Sequence, residues 1–203
     1  MRPIQVDNNF AVVIDDWFTP EEYKKAFTEC TFISNYFLTP EESGSALKDG
    51  KPLKDNRSTF VSAVFRDWQT SFIAQYSQKK YAPDFQESLV EIDPIFKYLS
   101  RINQHDCLVS YYETSNYYEP HEDQTVLTMV TWLYHTPRSF TGGNLILRNK
   151  DEEIVETIEC IPNRSVIFPS FMVHEVEEVS MSKKNLNKNK GRFTISQFSA
   201  VGL

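Results

Sequence analysis

A chain of 203 residues with a formal net charge of −7 is long enough to bury a sizeable core and too acidic for a general nucleic-acid binder. Its aromatic content of 14% suits a large β core, and no apolar run approaches membrane-spanning length. Cys30, Cys107 and Cys160 are widely spaced without a Cys-x-x-Cys pair, and the N-terminus lacks the apolar stretch of a signal peptide, so reduced thiols in a cytoplasmic protein of one domain, 1–203, are expected.

The chain opens on a strand predicted over Phe10–Ile14. Thr19-Pro20-Glu21-Glu22 is a capping box with proline at the first helical position, and predicts a helix to about Cys30. Thr39-Pro40-Glu41-Glu42 repeats that start, but Ser43 to Ser58 is polar and broken by Gly44, Gly50 and Pro52, which predicts a long exposed loop with at most one helical turn. A strand is expected over Thr59–Phe65. Phe85, Leu89, Ile92, Phe96 and Leu99 recur at spacings of three and four, a helical face, and Asp93-Pro94 inside it predicts a kink or a second helix start. From Cys107 onward the pattern is strands, near 107–113, 117–122, 125–135, 144–149, 153–160, 165–168, 172–177 and 192–199. Thr141–Asn144 and Asn149–Glu152 are turns, the second of them in a hairpin. Ser180–Lys190 is a polar, Lys/Asn-rich interruption. Helical support over about 1–105 followed by eight short strands over about 106–200 gives an α+β, mainly β fold: helices packed on a double-sheet core.

Tyr118-Glu119-Pro120-His121-Glu122-Asp123 carries the chemistry. A strand through it aims His121 and Asp123 to one face, about 7 Å apart at the backbone. An imidazole beside a carboxylate can hold a divalent metal, and a second imidazole completes the facial set of two histidines and one carboxylate that suits non-haem Fe(II). His174, in the apolar run Val166–His174, is placed to supply it. His-x-Asp alone is a weak signal, equally met by a hydrogen-bonded core histidine. A structural zinc site is disfavoured because no cysteine is positioned to close it.

The company this pair keeps is more specific. Tyr112, His121-x-Asp123, Thr141-Gly142-Gly143, Pro162–Phe168, His174 and Arg192–Phe198 occur in an order and spacing that resemble the Fe(II)/2-oxoglutarate-dependent dioxygenases, in particular the prolyl 4-hydroxylase-like branch. The resemblance covers about 107–200 well and 10–30 loosely. It implies a distorted double-stranded β-helix (jelly-roll/cupin-like) braced by helices, using Fe(II), 2-oxoglutarate and O₂, with ascorbate as a possible addition. The keto acid is decarboxylated to succinate as a substrate C–H bond is hydroxylated. His121, Asp123 and His174 become the catalytic iron ligands. Arg192 becomes the residue that receives the far carboxylate of 2-oxoglutarate, a role for which a fork-shaped, permanently charged group is suited. It lies later after His174 than is usual in the family, so Lys183 and Lys184 are rivals. Tyr112 is the tyrosine implied to help bind the keto acid, with Tyr111 the alternative. His135 is expected to pack within a strand, His105 to lie at the surface, and Trp132 and Phe198 to form core or pocket wall.

The function expected is an oxygenase acting on a prolyl or similar residue in a peptide or protein. A free amino acid, another small metabolite or an alkylated base remains open as substrate, as does an inactive β-barrel binding module. Loops choose substrates in such folds, so Ser43–Arg57 is expected to act as a lid, and Ser180–Lys190 is a second candidate.

Overall fold

The structure, a computed structural model, describes residues 2–6 and 9–202, with side chains from Ala11. Strands β1 (Arg2–Val6) and β2 (Asn9–Ile14) precede helix α1 (Pro20–Ile33). Thr19 caps α1 as its sequence demands. The Glu22 N–H donates to Thr19 Oγ1 at 3.3 Å, and Glu22 Oε2 accepts the Thr19 N–H at 2.9 Å. The second Thr-Pro-Glu-Glu makes the same back-contact, Thr39 N–H to Glu42 Oε2 at 3.1 Å, yet only a turn follows, because no apolar face comes after it to pack.

Strands β3 (Leu47–Lys48) and β4 (Lys51–Pro52) form a small hairpin inside the segment expected to be loop. Strand β5 (Arg57–Phe60) then passes directly into a helical turn, α2 (Val61–Val64), so the strand expected over Thr59–Phe65 is shorter and earlier. Residues 68–81 also hold helix that the sequence pattern did not disclose: a 3₁₀ turn, α3 (Phe72–Ser77) and a second 3₁₀ turn. Part of the reason is tertiary. The first N–H groups of α3 are met by Glu29 of α1, whose carboxylate accepts from Phe72 N at 2.6 Å and from the Ser71 hydroxyl. The predicted break at Asp93 is real. Helix α4 (Pro83–Ile92) stops there, and Asp93 accepts the Ile95 N–H at 2.7 Å to start a 3₁₀ helix over Pro94–Arg101.

The remaining strands are β6 (Gln104–Tyr112), β7 (Tyr118–His121), β8 (Leu127–Leu133), β9 (Phe140–Thr141), β10 (Leu145–Arg148), β11 (Ile154–Ile158), β12 (Ser165–Pro169), β13 (Val173–Val176), β14 (Ser180–Met181) and β15 (Arg192–Ala200). They lie where the alternation placed them, with β9 and β14 as short additions. The major sheet runs β1-β2-β12-β8-β15-β6-β5 and the minor sheet β11-β10-β13-β7. This is the double-stranded β-helix that the motif order implies.

Alternation assigns the two faces of the major sheet. Met129 and Leu133 of β8, Phe193 and Ile195 of β15 and Val109 of β6 join Ala26, Cys30, Ile33, Leu89 and Phe96 in the core under the helices. Their neighbours Val130, Trp132 and Tyr112 point the other way and pack with Leu145, Leu147 and Ile158 of the minor sheet. Asn163, in the motif that follows β11, ties the N-terminal segment to this core: its side chain bonds both the N–H and the C=O of Phe18 at 2.8 Å.

Candidate metal centre and keto-acid pocket

The two histidines meet because β7 and β13 pair in the register His121↔His174. Directly opposed residues of an antiparallel pair project side by side, and the two rings lie 4.3 Å apart. Each Nδ1 donates to a backbone carbonyl two residues earlier, His121 to Glu119 O at 2.8 Å and His174 to Met172 O at 2.9 Å. That fixes both tautomers and turns both Nε2 lone pairs inward, the arrangement metal-binding imidazoles require.

Asp123 arrives differently from the expectation. The strand ends at His121, so period-2 alternation is not what aims the carboxylate. Instead the Asp123 N–H bonds Ser170 O at 2.9 Å, and Thr128 Oγ1 donates to Asp123 Oδ2 at 2.5 Å while sharing a contact with Ser170 Oγ. This leaves Oδ1 3.9 Å from His121 Nε2 and Oδ2 3.5 Å from His174 Nε2. The three ligand atoms lie within 4.8 Å of one another, a set that can hold one metal ion with bonds of about 2 Å after a small inward adjustment. His121 is neutral and ready to bind: burial first, then the neighbouring His174, hold its pKa down to about 3. Tyr118 stacks on its outer face at 3.6 Å.

The triad opens into a cavity of about 360 Å³ between the sheets, lined also by Tyr112, Thr128, Val130, Arg192, Thr194 and Phe198. Arg192 is 1% exposed, and its Nε and Nη1 have no hydrogen-bond partner among the described residues. Its guanidinium lies 4.7 Å over the Tyr112 ring and 5.5 Å from that of Trp132. Gly143, at φ +75°, makes room for it: a Cβ there would come within 3.0 Å of Arg192 Cδ. A buried arginine with unspent donors in a pocket is a receptor for an anion. Lys183 and Lys184 are exposed on a 3₁₀ turn and do not line the cavity.

Tyr112 shares that pocket beneath the Arg192 guanidinium; burial raises its pKa to about 12, so it stays a donor. Tyr111 points to the opposite face, tilted against Phe193 and donating its hydroxyl to Glu113. His135 corrects its expectation. It lies beyond the end of β8, exposed, against the edge of Phe27. His105 is exposed. The sequence reading missed Thr128 and Thr194, placed at the site by sheet register, and Ser170, in the turn after β12. Thr194 followed Arg192 by two residues in an apolar strand, and that was its available signal.

Residues 107–198 match the family model described as the 2OG-Fe(II) oxygenase superfamily. No curated protein matches the chain by sequence. Among solved structures, a Pseudomonas putida prolyl-4-hydroxylase is similar with a TM-score of 0.60 at 14% identity, over 95% of this chain and 93% of that one. A Trichoplax adhaerens prolyl hydroxylase, solved with a hypoxia-inducible-factor degradation-domain peptide, gives 0.62 at 14% identity, over 94% and 83%. A viral collagen prolyl hydroxylase from Paramecium bursaria Chlorella virus-1, solved with 2-oxoglutarate, gives 0.53 at 15% identity, over 96% and 97%.

Proposed function

We propose that this chain, whose residues 107–198 match the 2OG-Fe(II) oxygenase superfamily model, is a 2-oxoglutarate-dependent dioxygenase that hydroxylates a prolyl or similar residue of a peptide or protein. The superfamily uses Fe(II), 2-oxoglutarate and O₂. One observation carries the reading: three metal-ligand side chains, two of them buried histidines, and a buried arginine with unspent donors face the same cavity.

The bound iron and keto acid together supply the oxidising power for C–H hydroxylation, leaving succinate and CO₂. The protein's part is to hold and to exclude. His121 and His174 offer Nε2 and Asp123 one carboxylate oxygen, all from one side, so the other side stays open to the cavity. Thr128 and Ser170 keep Asp123 in place, and the backbone carbonyls of Glu119 and Met172 keep the imidazoles from turning. Arg192 would hold the far carboxylate of the keto acid, with Tyr112 and Thr194 lining the same cavity. Val130, Leu145 and Phe198 keep water from the rest of the wall.

The peptide reading is supported by two features. The described relatives are prolyl hydroxylases, one of them solved with a peptide, and the segment over the cavity mouth carries Lys48, Lys51 and Arg57 in an otherwise acidic chain. A free amino acid or other small metabolite is the competing substrate. Succinate release with Fe(II) and 2-oxoglutarate, scanned over proline-containing peptides and free amino acids, decides between them. Stimulation by peptides with a 16-Da gain supports the proposal, and stimulation by small molecules alone overturns the peptide reading. We also place the protein in the cytoplasm, since three buried free thiols suit a reducing compartment. Among the described residues no helix is long and apolar enough to cross a membrane. Recovery of the chain in a secreted fraction would overturn that placement.

A further inference from the structure

The cavity contains a second buried cation that the metal centre and the keto-acid pocket leave unused. Lys54 is 4% exposed and lines the cavity with the triad. Its place is set by backbone pairing. The Glu119 N–H donates to Leu53 O at 2.8 Å and the Asp55 N–H to Tyr117 O at 3.1 Å, so residues 53–55 run along β7 as an extra edge. Lys54 falls opposite Tyr118, the ring stacked on His121, and is buried while Asp55 is exposed.

The ammonium has three N–H donors. One reaches Ser58 Oγ at 3.0 Å, and no ion pair involves Lys54 among the described residues. Elsewhere on the same segment, Ser43 Oγ and Asn56 Oδ1 are also buried without a partner among the described residues, and both residues line the cavity. A buried charge with spare donors and no counter-charge is unfavourable until something supplies one. The far carboxylate of the keto acid already has Arg192, which stands on β15 in the cavity floor. Lys54 stands apart from it, on the segment paired to the edge of β7.

We propose that Lys54, with the Ser43 hydroxyl of the same cavity lining, binds a carboxylate carried by the substrate, so that this oxygenase selects an acidic substrate whose carboxylate lies close to the oxidised C–H bond. This rests on the reading of His121, Asp123 and His174 as the metal centre. The carboxylate belongs either to a small acid or to an acidic side chain or terminus of a peptide.

The test uses the full chain loaded with Mn(II) and 2-oxoglutarate under argon, so that binding is read without turnover. The probes are pairs differing only in the carboxylate: N-acetyl amino acids against their primary amides, and proline peptides containing Asp or Glu against their Asn or Gln counterparts. Calorimetry on the wild type should show an acid binding about thirty-fold tighter than its amide, the loss expected when one member of a buried charge pair is removed. Lys54→Met should erase the difference, and Lys54→Arg should keep part of it, while the affinity for 2-oxoglutarate stays the same in both. Discrimination confined to the free acids, or to the peptides, supports the proposal and identifies the source of the carboxylate. Three results overturn it: no acid–amide difference for any pair, a difference that survives in Lys54→Met with its circular dichroism intact, or a loss in Lys54→Met that falls on 2-oxoglutarate itself. If Mn(II) and 2-oxoglutarate fail to bind the wild type, the proposed function falls and this inference with it. If they bind and no pair is discriminated, this inference alone falls.

Discussion

Arg192 and Lys80 are both 1% exposed, and their surroundings give them opposite expectations. Arg192 faces a cavity beside a metal-ligand set. Replacing it by leucine should weaken 2-oxoglutarate binding by about 3–5 kcal/mol, the loss for a buried carboxylate deprived of its charged partner, and leave metal affinity nearly unchanged. Arg192→Lys should fall between, because an ammonium keeps the charge and loses the fork. Titration of 2-oxoglutarate and of Mn(II) against each variant checks both statements. Lys80 lies outside the cavity, and its Nζ has no hydrogen-bond partner among the described residues. Burial lowers its pKa from 10.5 to about 8. The folded-state value is below the unfolded one, so the charging penalty is fully present below about pH 8 and shrinks as pH rises towards 10.5. Lys80→Met should therefore stabilise the protein at pH 7 by on the order of 2–3 kcal/mol, with the gain fading between pH 8 and 10.5. Urea melts at pH 7, 9 and 10.5 measure it, and a pH-independent gain would reduce the effect to packing.

At the scale of elements, the covering segment behaves as two parts. Its flanks are tied down: the Ala46 N–H donates to the Tyr118 hydroxyl at 3.1 Å, and residues 53–55 pair with β7. Its tip, β3 and β4 around Asp49 and Gly50, stands out, with Leu47 63% exposed. Both turn residues have positive φ, the geometry of a tight hairpin turn. The Leu53 N–H already reaches Ala46 O at 3.0 Å, so the tip can be removed without disturbing its base. Closing Ala46 to Leu53 with two glycines should preserve metal and 2-oxoglutarate binding and uncoupled succinate release, and lower coupled hydroxylation. The measurement is the ratio of hydroxylated product to succinate. An unchanged ratio would mean that the tip has no part in substrate closure.

Across the whole molecule, the site joins elements that the chain keeps far apart. His121 and His174 come from the minor sheet, while Asp123 is held by Thr128 of the major sheet and by Ser170 between β12 and β13. A metal there should act as a clamp. At a hundred times its dissociation constant a ligand of the native state adds about 2.7 kcal/mol, which for a chain of this size raises the melting temperature by roughly 5–10 °C. Mn(II) with 2-oxoglutarate should produce that rise, a chelator should reverse it, and Asp123→Ala should abolish both the rise and turnover. Scanning calorimetry gives the first two and succinate release the last. A full rise in Asp123→Ala would place the metal elsewhere.

Sequence alone determined what depends on short range. Alternation placed the strands of the C-terminal half, because one face of each is buried and a slip of one residue would reverse it. Thr19 and Asp93 announced their helix starts, because a cap is satisfied by its own next turn. The order of His121, Asp123, His174 and Arg192 carried the resemblance, because a motif is read from residue type and spacing alone. What depends on contacts distant in the chain was decided only by the tertiary structure. Residues 68–81 are helical partly because Glu29, some forty residues away, meets the first N–H groups of α3. Phe65 leaves its expected strand because β5 gives way to a helical turn after Phe60. Arg192 and Tyr112 line the cavity, and Lys183, Lys184 and Tyr111 do not, because the paired β6 and β15 turn the first two side chains inward. Lys54 falls in the segment expected to be an exposed loop and lid, and is buried because β7 draws residues 53–55 into its edge, a pairing between segments more than sixty residues apart that no local pattern records.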